Sequence, residues 1–79
     1  MKITISKENY LKTIAEAESE GEPVIAATIA RWLDVSAPAV AMATRRLGRD
    51  GFIRVAKNGQ ISLTGSGREI VNRLLMRNY

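Results

Sequence analysis

The chain is 79 residues long, with a hydrophobic fraction of 46% and a net charge of +4, and it has room for one domain, spanning residues 1–79. It holds neither cysteine nor histidine, which removes disulfides, thiolate zinc sites and Cys- or His-based nucleophiles. No apolar run approaches the roughly 20 residues of a membrane span, and Met-Lys-Ile-Thr-Ile-Ser is not followed by a signal-peptide core, so a cytoplasmic location is expected.

The first helix is predicted to start after Ser6, its N-cap. Tyr10, Leu11 and Ile14 fall on one helical face, and Gly21 ends the helix. Pro23 forces Glu22 out of helical geometry, making a connector. Val24 and Ile25 lead into a second, short helix with Ile29, Ala30 and Leu33 as its buried stripe. Trp32 falls one step off that stripe, which leaves it partly exposed. It either packs on the first helix or the wing, or forms a protein contact.

Asp34-Val35 is read as a turn with Val35 tucked inward. Ser36 caps a third helix, and Pro38 sits in the first turn, where its missing N–H costs nothing. Val40, Ala43 or Thr44, and Leu47 face inward, and Asp50-Gly51 stops the helix. Phe52–Ala56 and Gln60–Leu63 read as two β-strands, and Lys57-Asn58-Gly59 between them supplies the Asn-Gly pair favoured in tight hairpins. Thr64 caps a last helix with Ile70, Val71, Leu74 and Leu75 on its apolar face. Gly65-Ser66-Gly67 at its start lacks the length and the Lys-Ser/Thr ending of a phosphate loop. It reads as a capped helix start with Gly67 permitting close packing.

The elements from Ala26 to Gly51, with a hairpin behind them, have the order of a helix-turn-helix followed by a wing. The expected fold is therefore mostly α, a winged helix-turn-helix with a two-stranded wing and a C-terminal helix. Such a unit lays one helix in the major groove of double-stranded DNA. The charge distribution agrees. Residues 1–22 hold three lysines against five glutamates, a balance of −2, whereas residues 23–79 hold nine Arg or Lys against three acids, a balance of +6.

The candidate DNA-reading face of the third helix is Ser36, Ala37, Pro38, Ala39, Ala41, Met42 and Arg45. It is small and apolar. Pro38, Ala39, Ala41 and Met42 suit thymine methyls and Arg45 suits guanine, which implies modest sequence specificity or a reading of DNA shape. Arg45, Arg46, Arg49, Arg54 and Lys57 suit phosphates, and Lys57 and Asn58 at the wing tip would approach the backbone or minor groove. Each basic residue read alone is a solvated charge, and the alanine-rich stretch read alone is a good helix former packing on a neighbour. Glu16 and Glu20 share a helix face, which reads as solvated surface. No nucleophile, base and oxyanion site assembles, so no enzyme and no cofactor are expected. The other function open to this fold is protein binding as an adaptor.

A set of residues in this order resembles the N-terminal DNA-binding domain of the iron-dependent repressor family. They are Tyr10-Leu11 with Ile14, Ile29-Ala30 with Leu33, Val35-Ser36 with Pro38 and Val40, Arg46-Leu47 with Asp50-Gly51, and Leu63-Thr64 with Gly67. The resemblance implies transcriptional regulation, with Ser36, Pro38, Ala39, Ala41, Met42, Arg46 and Arg49 at positions that contact operator DNA. It also implies a metal ligand beside Tyr10 and another after Arg77. Here those places hold Asn9 and Asn78, whose neutral amide oxygens are poor ligands for iron or manganese, so no metal site is expected. The family's remaining ligands and its dimerisation segment would fall past Tyr79. The chain then reads either as a fragment of a longer regulator or as a pared-down relative. In both readings Leu74, Leu75 and Met76 are left for a missing segment or a second copy.

Overall fold

The computed structural model describes residues 6–76, with the backbone alone for 75 and 76. The element order is α1 (Lys7–Ser19), α2 (Ala26–Leu33), α3 (Ala37–Arg49), β1 (Ile53–Val55), β2 (Ile61–Leu63) and α4 (Gly65–Met76). This is the predicted winged helix-turn-helix.

Short polar caps start three of the four helices. The Ser6 hydroxyl accepts from the Asn9 N–H at 3.2 Å, Ser36 from Ala39 at 3.3 Å, and Thr64 from Gly67 at 3.2 Å. The start of α2 is built differently. Ile25 has no acceptor in its side chain, so Thr28, three residues on, reaches back to accept from the Ile25 N–H and donates its own proton to the Pro23 carbonyl. Thr28 is thereby buried without an unmet polar atom. Between α2 and α3, Asp34 adopts the left-handed conformation (φ 55°), and the Val35 N–H returns to the Ala30 carbonyl at 3.1 Å.

The core gathers Tyr10, Leu11, Ile14 and Ala17 of α1, Val24, Ile29 of α2, Val40 and Leu47 of α3, Ile53 and Ile61 of the wing, and Val71 of α4. Between Ala43 and Thr44, it is Thr44 that is buried, and its hydroxyl is satisfied by donating to the Ala41 carbonyl. Ala43 packs at the core's edge. Ala30, Leu33 and Val35 also pack at that edge, as does Ile70 of α4. Leu74 is half-buried, and the side chains of Leu75 and Met76 lie outside the described residues.

The wing differs in detail from its sequence reading. β1 and β2 pair antiparallel with Ile53 opposite Leu63 and Val55 opposite Ile61, and Phe52 is left out of the ladder. Its N–H is diverted to the Leu47 carbonyl at the end of α3, while its carbonyl still accepts from the N–H of Thr64, the residue opposite it. The turn is not a two-residue Asn-Gly turn, which would need positive φ at both residues. Only Gly59 is left-handed (φ 89°). The Gly59 N–H donates to the Ala56 carbonyl at 2.9 Å and Asn58 Oδ1 accepts from the Gln60 N–H, so the loop has the form of an ordinary turn closed by a glycine.

Two contacts anchor the wing to the body. The Ile61 N–H donates to the Val24 carbonyl at 2.7 Å, tying β2 to the α1–α2 connector. At the wing's base, a Cβ on Gly67 would stand 2.1 Å from the Phe52 carbonyl oxygen, so α4 passes the residue before β1 at a distance only glycine allows. The Thr64 hydroxyl closes the same joint by donating to the Gly51 carbonyl at 2.6 Å.

Candidate nucleic-acid interface

The inward residues of α3 are Val40, Thr44 and Leu47, spaced four and three apart, which fixes what its other side presents. Pro38, Met42, Arg45 and Arg49 follow one another at steps of four, three and four, so they form one stripe along the outward face. Ala39 and Arg46 flank it on one side and Ala41 on the other. All of these are exposed, as are Ser36 and Ala37 at the helix start. The stripe is apolar through the first two turns and cationic through the last two.

The helix end itself favours that order. Arg46 and Arg49 lie in the last turn, where the helix dipole is negative. The free N–H groups at the other end leave a partial positive charge beside the apolar half. Ser36 caps that end, so one lone pair of its oxygen is already engaged.

Lys57 and Asn58 occupy the exposed wing tip, and the first strand of the wing packs against α3. The Asn58 oxygen is used within the turn, so its amide NH₂ is the group left to meet a partner. Arg54 and Val55 are exposed on β1, and Val55 is a large apolar wing residue that the sequence pattern had assigned only to the strand. All eleven residues expected to meet DNA are thus at the surface, nine on or next to α3 and two at the wing tip.

Electrostatics divides the arginines into two groups. Arg31 pairs with Glu22, Arg68 with Glu18 at 3.3 Å, and Arg73 with Glu69 at 3.5 Å. Arg45, Arg46, Arg49, Arg54 and Lys57 take part in no ion pair among the described residues. From Ser36 to Leu63 the chain carries these five cations against Asp50 alone. That surface is left cationic, whereas Glu18 and Glu22 neutralise arginines elsewhere.

The rest of the surface offers little for chemistry. A groove of about 340 Å³ is lined by Glu18, Gly21, Glu22, Pro23, Val24, Gln60 and Ile61, but its two carboxylates are those paired with Arg68 and Arg31. Glu16 and Glu20 are exposed. Trp32 is partly exposed near the end of α2, as its step off the buried stripe predicts. No group of three His, Cys, Asp or Glu side chains able to hold a metal occurs among the described residues. Asn9 is exposed on α1 with a neutral amide, and Asn78 lies outside the described residues. Among the described residues the place beside Tyr10 offers only a neutral amide, which is a poor ligand for iron or manganese. No helix among the described residues is long and apolar enough to cross a membrane.

Comparison with known proteins agrees with this geometry. A family model described as the iron dependent repressor, N-terminal DNA binding domain, matches residues 2–61. The iron-dependent repressor IdeR of Mycobacterium tuberculosis is 43% identical over 63 residues, covering 80% of this chain and 27% of that protein. The diphtheria toxin repressor of Corynebacterium diphtheriae is 36% identical over 70 residues, covering 89% of this chain and 31% of that protein. The chain therefore spans about a third or less of the length of these curated relatives. The manganese regulator SloR superposes with a TM-score of 0.79 at 32% identity, over 92% of this chain and 34% of that one. The Staphylococcus aureus MepR–DNA complex superposes with a TM-score of 0.73 at 25% identity, over 95% of this chain and 56% of that one. With a winged helix whose cationic face is α3 and the hairpin, and a family match over most of its length, the chain belongs to the iron-dependent repressor family and corresponds to its N-terminal DNA-binding domain.

Proposed function

We propose that this chain grips double-stranded DNA by inserting α3 into the major groove and resting the wing tip on the adjacent backbone or minor groove, as the DNA-binding part of a cytoplasmic transcriptional regulator. Ser36, Ala37, Pro38, Ala39, Ala41, Met42 and Arg45 would face the groove. Arg46, Arg49, Lys57 and Asn58 would hold the phosphates. The observation that carries this reading is the set of five exposed cations on α3 and the wing that have no acidic partner among the described residues.

The test is binding to a mixed-sequence duplex at two salt concentrations. Affinity is expected to fall with a log-log slope of about −0.9 for each phosphate neutralised. A flat response would contradict the reading. It would favour a protein-binding adaptor instead, which Trp32, 39% exposed, and the apolar half of α3 would suit.

The chain is read as one domain without enzymatic activity, since its carboxylates near a groove are spent on arginines and the relatives it matches are named as repressors. It is also read as binding DNA without sensing a transition metal, for which the neutral amide of Asn9 is the support. The last helix is proposed to receive a second copy of the chain or a following segment. Ile70 and Leu74 are only half-buried there and border a groove of about 230 Å³ against Lys7 and Glu8 of α1.

A further inference from the structure

We infer that Met42 is a specificity residue that reads the 5-methyl group of a pyrimidine in the major groove, an inference that rests on the DNA-binding reading above. Met42 is 63% exposed, and it is the longest side chain on the apolar first half of α3, before Arg45. It sits on the outward stripe, four residues after Pro38 and three before Arg45. Ala39 and Ala41 beside it carry only a methyl each, so the helix can come close to the base edges with Met42 projecting furthest.

From Ala37 to Met42 no exposed side chain offers a strong hydrogen-bonding group, and the Ser36 hydroxyl before them has one lone pair already engaged as a cap. A helix so furnished has little with which to read the donors and acceptors of base edges, and what it presents there is mainly apolar. The one apolar group a base pair shows in the major groove is the pyrimidine 5-methyl. The thioether chain is unbranched and polarisable, so it can settle over such a methyl without a fixed geometry. Arg45 and Arg49, further along the same stripe, supply the charge that holds the duplex against it. Thymine and 5-methylcytosine both carry this group.

The experiment uses the whole 79-residue chain and a duplex enriched by it from a random pool. Each thymine is replaced in turn by deoxyuridine, which removes only the methyl, and binding is followed by fluorescence anisotropy. At the responsive position a cytosine pair is compared with a 5-methylcytosine pair. One thymine is expected to cost about fourfold in affinity when its methyl is removed, the worth of one buried methyl. If the methyl itself is read, 5-methylcytosine binds more tightly than cytosine there; if not, the reader recognises the thymine pair by other means and the inference fails.

Met42→Ala is expected to flatten both responses while leaving the salt slope and thermal unfolding unchanged, since Met42 touches neither core nor phosphate. A wild type indifferent to every deoxyuridine, or a methyl response that survives in Met42→Ala, overturns the inference while salt-dependent DNA binding stands. Wild type without salt-dependent binding to any duplex overturns both readings.

Discussion

Arg68 and Arg45 carry the same guanidinium, yet they lie in regions with opposite electrostatic design. On the α1–α4 side, Arg68 meets Glu18 and Arg73 meets Glu69, and Lys7 lies over the Phe52 ring at 5.3 Å from its centroid. On the α3–wing side, Arg45, Arg46, Arg49, Arg54 and Lys57 have no acidic partner among the described residues. The first region uses charge to cover its own surface; the second keeps it for an outside anion. A net charge of +4 says little by itself, and the pairing pattern says which cations remain available.

The comparison can be broken by substitution, beginning with the body. Ile14 is fully buried at the centre of α1. Ile14→Ala should lower unfolding stability by about 2–5 kcal/mol, measured by urea denaturation. That is a large share for a domain of this size, expected to hold about 4–12 kcal/mol. Next is the joint between body and wing. Gly67→Ala would force a methyl against the Phe52 carbonyl, and overpacking of this kind costs about 1–3 kcal/mol. An unchanged melting temperature would mean that Gly67 and the Phe52 carbonyl do not meet as described. The smallest effect belongs to the reading helix. Ser36→Ala removes the cap of α3 and should cost about 1 kcal/mol, seen as a modest drop in the same denaturation midpoint.

These residues also mark what could be read from the sequence. Ser6, Ser36 and Thr64 were legible as caps because a hydroxyl before a helical pattern acts within three residues. The outward side of α3 was legible because Val40 and Leu47 mark its inner side, although the sequence left Ala43 and Thr44 open and the structure buries Thr44. The close approach behind Gly67 was anticipated in kind, although the atom it meets, the Phe52 carbonyl, belongs to a distant part of the chain.

What stayed hidden depends on partners far away in sequence. Thr28 and Val24 are buried where the connector bonds to itself and to β2, and nothing in their own periodicity signals this. Glu18 finds Arg68 across 50 positions, so the sequence could not separate paired arginines from free ones. The wing turn misled for a local reason. An Asn-Gly pair fits more than one turn, and here Asn58 caps the Gln60 N–H with its side chain while Gly59 alone turns left-handed.

The most direct measurement sets one region against the other. Two triple variants are compared in salt titrations of duplex binding: Arg45→Ala, Arg46→Ala, Arg49→Ala on α3, and Arg31→Ala, Arg68→Ala, Arg73→Ala among the paired arginines. Both lower the net charge equally. The α3 variant should reduce the steepness of the log-log slope by up to about 2.7 and weaken binding strongly, while the other keeps the wild-type slope. Equal losses in the two variants would show that binding follows total charge, and the assignment of α3 as the DNA-gripping surface would be contradicted.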